Sequence, residues 1–140
     1  MNHICYKNDN NEIIMNYYNF KQIARVEVYD IIIEYIVSII KECLSNITLI
    51  KVHINLNSFT LTEFEKHLHF ITKICKILTT NFPDKLETCL IYNPPFFISK
   101  IYNVLFTFID KKTQQKIKLV TASPTSTSTS TSASLSMSSF

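Results

Sequence analysis

Phe82-Pro83-Asp84-Lys85-Leu86-Glu87-Thr88-Cys89-Leu90-Ile91-Tyr92-Asn93-Pro94-Pro95-Phe96 packs a helix stop, a buried strand and a turn into one run. Pro83 cannot continue a helix, because it has no N–H to give and its ring clashes with the preceding turn. Residues 86–92 are mostly apolar, and Pro94-Pro95 ends them, so they read as a strand. Upstream, Thr60 with Glu63, or Thr62 with Glu65, makes a capping box that opens a helix of about residues 62–78. Its apolar face runs Phe64, Leu68, Ile71, Cys75 and Leu78. Before it, the β-branched run 47–56 lies between Ser45-Asn46 and Asn57-Ser58 and reads as another buried strand. Two strands joined by a helix of this length argue for a crossover and parallel pairing.

The same alternation extends in both directions. Val28, Ile32, Tyr35, Ile36, Ile39 and Cys43 recur at helical spacing and predict a helix over about residues 25–44. Residues 3–6 and 13–18 flank Lys7-Asn8-Asp9-Asn10-Asn11 and predict an opening hairpin, since Asn and Asp tolerate the positive φ that such turns require. Downstream, Pro94-Pro95 leads into a helix over about 97–109, and 117–120 predicts a last short strand. The expected fold is α/β, with a mixed, mostly parallel sheet and crossover helices. Residues 1–120 form one domain on this reading, and the Ser/Thr-rich, uncharged segment 121–140 is expected to be disordered.

Composition excludes several functions. The chain of 140 residues contains no glycine, which removes the glycine-rich phosphate loops of nucleotide-binding folds. A net charge of +3 does not point to nucleic acid, and it permits contact with an anionic membrane surface. Cys5, Cys43, Cys75 and Cys89 are widely spaced and no basic-then-apolar leader opens the chain, so reduced thiols and a cytoplasmic setting are expected. His67 and His69, two apart on a helix, face different directions, and no metal or other cofactor is expected. Glu34 interrupts the apolar run 31–40, and Pro94-Pro95 with Lys100 break 89–109, so neither reads as a membrane span. No nucleophile–base or carboxylate pair stands out, and the protein is not expected to be an enzyme.

In helix 97–109 the apolar residues run all the way round: Phe97, Ile98, Ile101, Tyr102, Val104, Leu105, Phe106, Phe108 and Ile109. Such a helix is either buried on all sides or turned toward a ligand or membrane.

Three segments at matching separation resemble the CRAL-TRIO lipid-binding domain. Phe82-Pro83-Asp84-Lys85-Leu86 and Ile91-Tyr92-Asn93-Pro94-Pro95-Phe96 are similar to the family's Tyr-Pro-Glu-Arg-Leu and Ile-Asn-Ala-Pro-aromatic segments. Phe108-Ile109-Asp110-Lys111-Lys112-Thr113-Gln114-Gln115-Lys116-Ile117 is similar to its Phe-Leu-Asp-Pro-x-Thr-x-x-Lys-Ile. Asn55-Leu56-Asn57-Ser58-Phe59 stands in the place of its Asp-Leu-x-Gly strand end, and Lys7 to Ile13 in that of its hairpin. Ser58 and Asn10 stand where glycine is usual, Asn55 replaces the acid and Lys111 the proline. On this resemblance the family's N-terminal helical domain and C-terminal closing elements are expected to be missing.

The resemblance implies an apolar cavity between the sheet and a mobile gate helix, holding one phospholipid or other hydrophobic lipid such as a phosphoinositide. Helix 97–109 lies at the gate's position, which makes Phe97, Ile101, Leu105, Phe106 and Phe108 candidate acyl-chain contacts. Asp84, Lys85 and Lys116 match positions that bind the headgroup phosphate in phosphoinositide-handling members. Ile50 and Val52 fall where other members hold phosphatidylcholine, and their apolar side chains disfavour that ligand. Transient membrane contact and self-association through the gate helix are further expectations. The competing classes are a protein-interaction module and a ligand-free remnant of the fold, and the space beneath the gate helix distinguishes them from a lipid binder.

Overall fold

The computed structural model describes residues 1–120. Its sheet has the order β1-β2-β3-β4-β5, with β1 Cys5–Lys7, β2 Ile13–Asn16, β3 Ile50–Asn55, β4 Leu86–Tyr92 and β5 Ile117–Val120. β1 pairs antiparallel with β2, and every later pairing is parallel. The mixed, mostly parallel sheet expected from the sequence is therefore the observed one. The expectation of a disordered tail over 121–140 lies outside the described residues.

Chain order and spatial order coincide, and this fixes the layering. Right-handed crossovers between successive neighbouring strands drop every connecting helix on the same side of the sheet. The register puts Ile13, Met15, Val52, Ile54, Cys89, Ile91, Ile117 and Leu119 on that side. The alternate positions face the other way: Tyr6, Ile14, Lys51, His53, Leu90, Tyr92 and Lys118. These are half-buried or exposed, as a face without a helical cover should be.

The helices differ in detail from the expectation. Tyr17 and Tyr18 do not extend the second strand but open α1, Tyr17–Ile23. The Asn16 side chain accepts from the Asn19 N–H at 3.1 Å, a cap that offsets the β preference of the aromatic residues behind it. The expected helix 25–44 is a 3-10 turn, Val26–Val28, followed by α2, Tyr29–Leu44. Its buried stripe is Tyr29, Ile32, Ile33, Ile36, Ile40 and Cys43, rotated from the expected one, with Val28, Tyr35 and Ile39 on its margin. The helix expected over 62–78 is interrupted at His67, giving α3, Leu61–Lys66, and α4, Leu68–Asn81. Thr60, not Thr62, makes the capping box, with Glu63. The helix over 97–109 shortens to α5, Ile98–Leu105, and Asp110 then caps the single turn α6, Lys111–Gln114.

A glycine-free chain still needs left-handed backbone at its tight turns. Asn11, Ser58, Asp84 and Asn93 supply it, with φ of 60°, 66°, 58° and 53°. Asn and Asp bear this conformation comparatively well, whereas Ser pays the clash of its Cβ. Ser58 is also the position where the resembled family carries glycine, whereas in the opening turn Asn11, and not Asn10, takes the strained conformation. Ser58→Gly is expected to raise the unfolding free energy by about 0.5–1 kcal/mol, net of the entropy that glycine adds to the unfolded chain. An unchanged or lower urea midpoint would show that Ser58 is not strained.

Candidate functional site

Phe97 caps α5, and its ring lies 5.8 Å from Phe59 and 6.2 Å from Phe64. Ile98, Ile101 and Tyr102 follow at helical spacing and are buried. Tyr102 stacks on Phe106 at 4.7 Å and approaches Cys89 of β4, so α5 lies on the same face of the sheet as the other helices. Burial pushes the Tyr102 phenol up, and burial and then Cys75 push the Cys89 thiol up to about 12. Cys75 belongs to α4, so both helices converge on the middle of β4. All four cysteines are free thiols.

The layer does not close evenly over the sheet. Val52 lies between Ile13, which is 0% exposed, and Cys89, which is 8% exposed, yet Val52 itself is only half-buried. Ile54 behind it is half-buried as well, although β3 is the middle strand. Ile71, Ile74 and Leu78 of α4, and Val104, Leu105 and Phe106 at the end of α5, are likewise half-buried against the core. Apolar surface thus persists among the sheet-facing residues of β3, α4 and α5.

The candidate acyl-chain contacts on this helix are covered to different degrees. Phe97 and Ile101 are each 6% exposed, Leu105, Phe106 and Phe108 are half-buried, and the Lys76 ammonium sits 5.0 Å over the Phe108 ring. The exposed ring is Phe96, at 92%, held out by the Pro94-Pro95 turn at the foot of α5. Periodicity cannot reveal this, because it records the faces of a helix and not what other elements cover. A hollow of about 400 Å³ lies elsewhere, at the amino ends of the strands, where Asn10, Glu12, Lys51 and Glu87 share its lining with Ile47 and Leu49, and it is open, with mixed polar and apolar walls.

Asp84, Lys85 and Lys116 meet at the amino end of β4. Asp84 takes its left-handed turn after Pro83, and the Lys85 carbonyl accepts from the Ile50 N–H at 2.8 Å. The Lys116 ammonium donates to the Leu86 carbonyl at 2.7 Å, while its own carbonyl accepts from the Cys89 N–H at 2.8 Å. Lys116 therefore splices β5 to β4 besides carrying charge. Lys112, which sequence reasoning missed, stands 3.8 Å from Asp84. Asp110 is held below the usual carboxylate range, mainly by its bonds to Thr113 and then by Lys112 and Lys116.

Two histidines are engaged through their rings. On the open face His53 links Tyr92 Oη, 2.8 Å from Nδ1, to Glu12 Oε1, 2.9 Å from Nε2. That bond holds the Glu12 carboxyl below its ordinary range. His67 is buried with Nδ1 2.6 Å from Tyr29 Oη. No group of three or more His, Cys, Asp or Glu able to hold a metal occurs among the described residues. None of their helices is long and apolar enough to cross a membrane.

The CRAL/TRIO domain family model matches residues 4–131, a span that contains every strand of the sheet. Sixteen solved chains match the structure. One, described as the crystal structure of Sfh5, superposes with a TM-score of 0.69 at 14% identity, covering 83% of this chain and 46% of that one. The chain therefore spans less than half the length of that protein. Among curated proteins none matches the sequence. The family match over most of the chain and the agreement of the fold lead to one conclusion: this chain belongs to the CRAL/TRIO domain family, whose general role is lipid binding.

Proposed function

We propose that this domain binds one phospholipid with an anionic, phosphoinositide-type headgroup, its acyl chains entering between the sheet and the helix layer beneath α5. The observation that carries this reading is the half-exposure of Val52 and Ile54 on the middle strand, where a closed core would bury both. Their methyl groups and those of Ile71, Ile74 and Leu105, all half-buried against the core, are the apolar contacts offered to the acyl chains. α5 acts as the gate: it is one short helix seated by Phe97, Ile98, Ile101 and Tyr102. Lys85, Lys112 and Lys116, balanced in part by Asp84, offer point charges to a headgroup phosphate. Phe96 meets the membrane while lipid is exchanged, since a ring 92% exposed on a stiff turn gains by entering the bilayer boundary. The role is binding rather than catalysis.

The test is organic extraction of the purified protein with mass spectrometry, followed by uptake of a fluorescent phosphoinositide from vesicles. The expected result is about one phospholipid per chain, with phosphoinositide taken up in preference to phosphatidylcholine. Protein that carries no lipid and takes none up would replace this reading with that of a ligand-free scaffold.

A further inference from the structure

We propose that His67 is an acid-sensitive latch that holds the seat of α5. His67 is the single residue between α3 and α4, ending one helix and beginning the other with φ −100° and ψ 13°. Its ring is buried, edge-on to Phe20 at 5.2 Å, Tyr29 at 5.9 Å and Tyr17 at 6.4 Å. The Tyr29 phenol, itself pushed up by burial, keeps its proton and donates it to Nδ1, which leaves the imidazole proton on Nε2.

The charged groups around the ring do little to favour an imidazolium. Lys66, the adjoining residue on α3, opposes it. Glu63, one turn earlier, favours it, but that carboxylate accepts from the Thr60 N–H at 3.1 Å and lies 4.0 Å from Lys21 of α1. The Tyr17 hydroxyl is directed at the same carboxylate and helps to hold it below its ordinary range. From α2 and α4, Asp30 and Lys73 close on each other at 2.6 Å. Burial first, and then Lys66, hold His67 below the ordinary imidazole range.

A second proton must enter at Nδ1, where it removes the acceptor that Tyr29 uses. The cation then needs water, and at a helix break water is reached by moving α3 aside while α4 stays helical. α3 carries Phe64, whose ring is 6.2 Å from both Phe59 and Phe97. Moving α3 therefore unseats the residue that caps α5. The sign follows from linkage. A base with a depressed folded-state pKa favours the closed form fully above its ordinary value of about 6.5, and that preference is lost as pH falls below it.

The latch bears on lipid release only through the reading of α5 as a gate, but its test needs no lipid. Hydrogen exchange of the full, ligand-free chain is followed at about pH 7.5 and about pH 5, corrected for the intrinsic rate. Amides of α3 and α5 are expected to exchange faster at the lower pH, by up to roughly tenfold per unit of pKa depression, while β3 and β4 do not. His67→Gln, whose amide oxygen still accepts from Tyr29, is expected to abolish the acid response, and His53→Gln to keep it. An α5 that exchanges equally at both pH values, or a response that survives His67→Gln, overturns the proposal. Should His67→Gln fail to fold, NMR titration of the His67 ring decides. A midpoint coinciding with the α5 exchange supports the latch, and one displaced by more than about one unit refutes it.

Discussion

Phe64→Ala is expected to lower the unfolding free energy by about 3–5 kcal/mol, the range for deleting a buried phenyl ring. Phe64 is 2% exposed and sits where three segments converge, touching Phe59 after β3 and Phe97 before α5 from its own place on α3. The cavity cannot refill easily, because Phe59 and Phe97 already pack 5.8 Å apart, with Phe59 held also by Tyr17 at 4.5 Å. A loss this large is a substantial part of the stability of an ordinary small domain, so the variant should be partly unfolded at ambient temperature. Urea denaturation read by far-UV circular dichroism checks it. A cost below about 1 kcal/mol would mean that the Phe59–Phe64–Phe97 cluster relaxes freely and seats nothing.

The second large effect concerns charge. Lys85→Glu combined with Lys112→Glu is expected to weaken binding to phosphoinositide-containing vesicles by at least about tenfold, at roughly 1 kcal/mol per lysine near an anionic surface. Binding to neutral vesicles should hardly change, and the difference should shrink as salt is raised. Both side chains are exposed, so the fold is spared. Lys116 is left out of this pair because its ammonium also holds the Leu86 carbonyl at 2.7 Å, and changing it would confound binding with strand pairing. Equal losses on both kinds of vesicle, measured by co-sedimentation, would assign these lysines to general surface charge.

What was legible in the sequence follows a physical line. β4 is read residue for residue because Pro83 and Pro94-Pro95 bound an apolar run that no helix could occupy. β5 is equally plain. α1 is missed because Tyr17, Tyr18 and Phe20 favour strands, and one side-chain bond from Asn16 outweighs that preference. The break at His67 is invisible because the apolar period runs through it from Phe64 to Leu68 without a change of phase. Asp84, Lys85 and Lys116 are candidates through motif likeness, whereas Lys112 comes to stand beside Asp84 only through the fold. Phe96 escaped notice for a related reason. Neighbours in sequence carry the same side chain, and only the turn decides that Phe97 goes in while Phe96 stays out.

The coincidence of strand order with chain order also bears on how the molecule is made. β1 and β2 can close a hairpin before β3 is made, and each later strand finds its partner already in place at the growing edge. Among the described strands, every pairing joins neighbours in chain order. The loop-closure entropy of each step is that of one crossover, not of the entire domain. Assembly can therefore keep pace with synthesis, adding a strand each time a helix and its successor emerge.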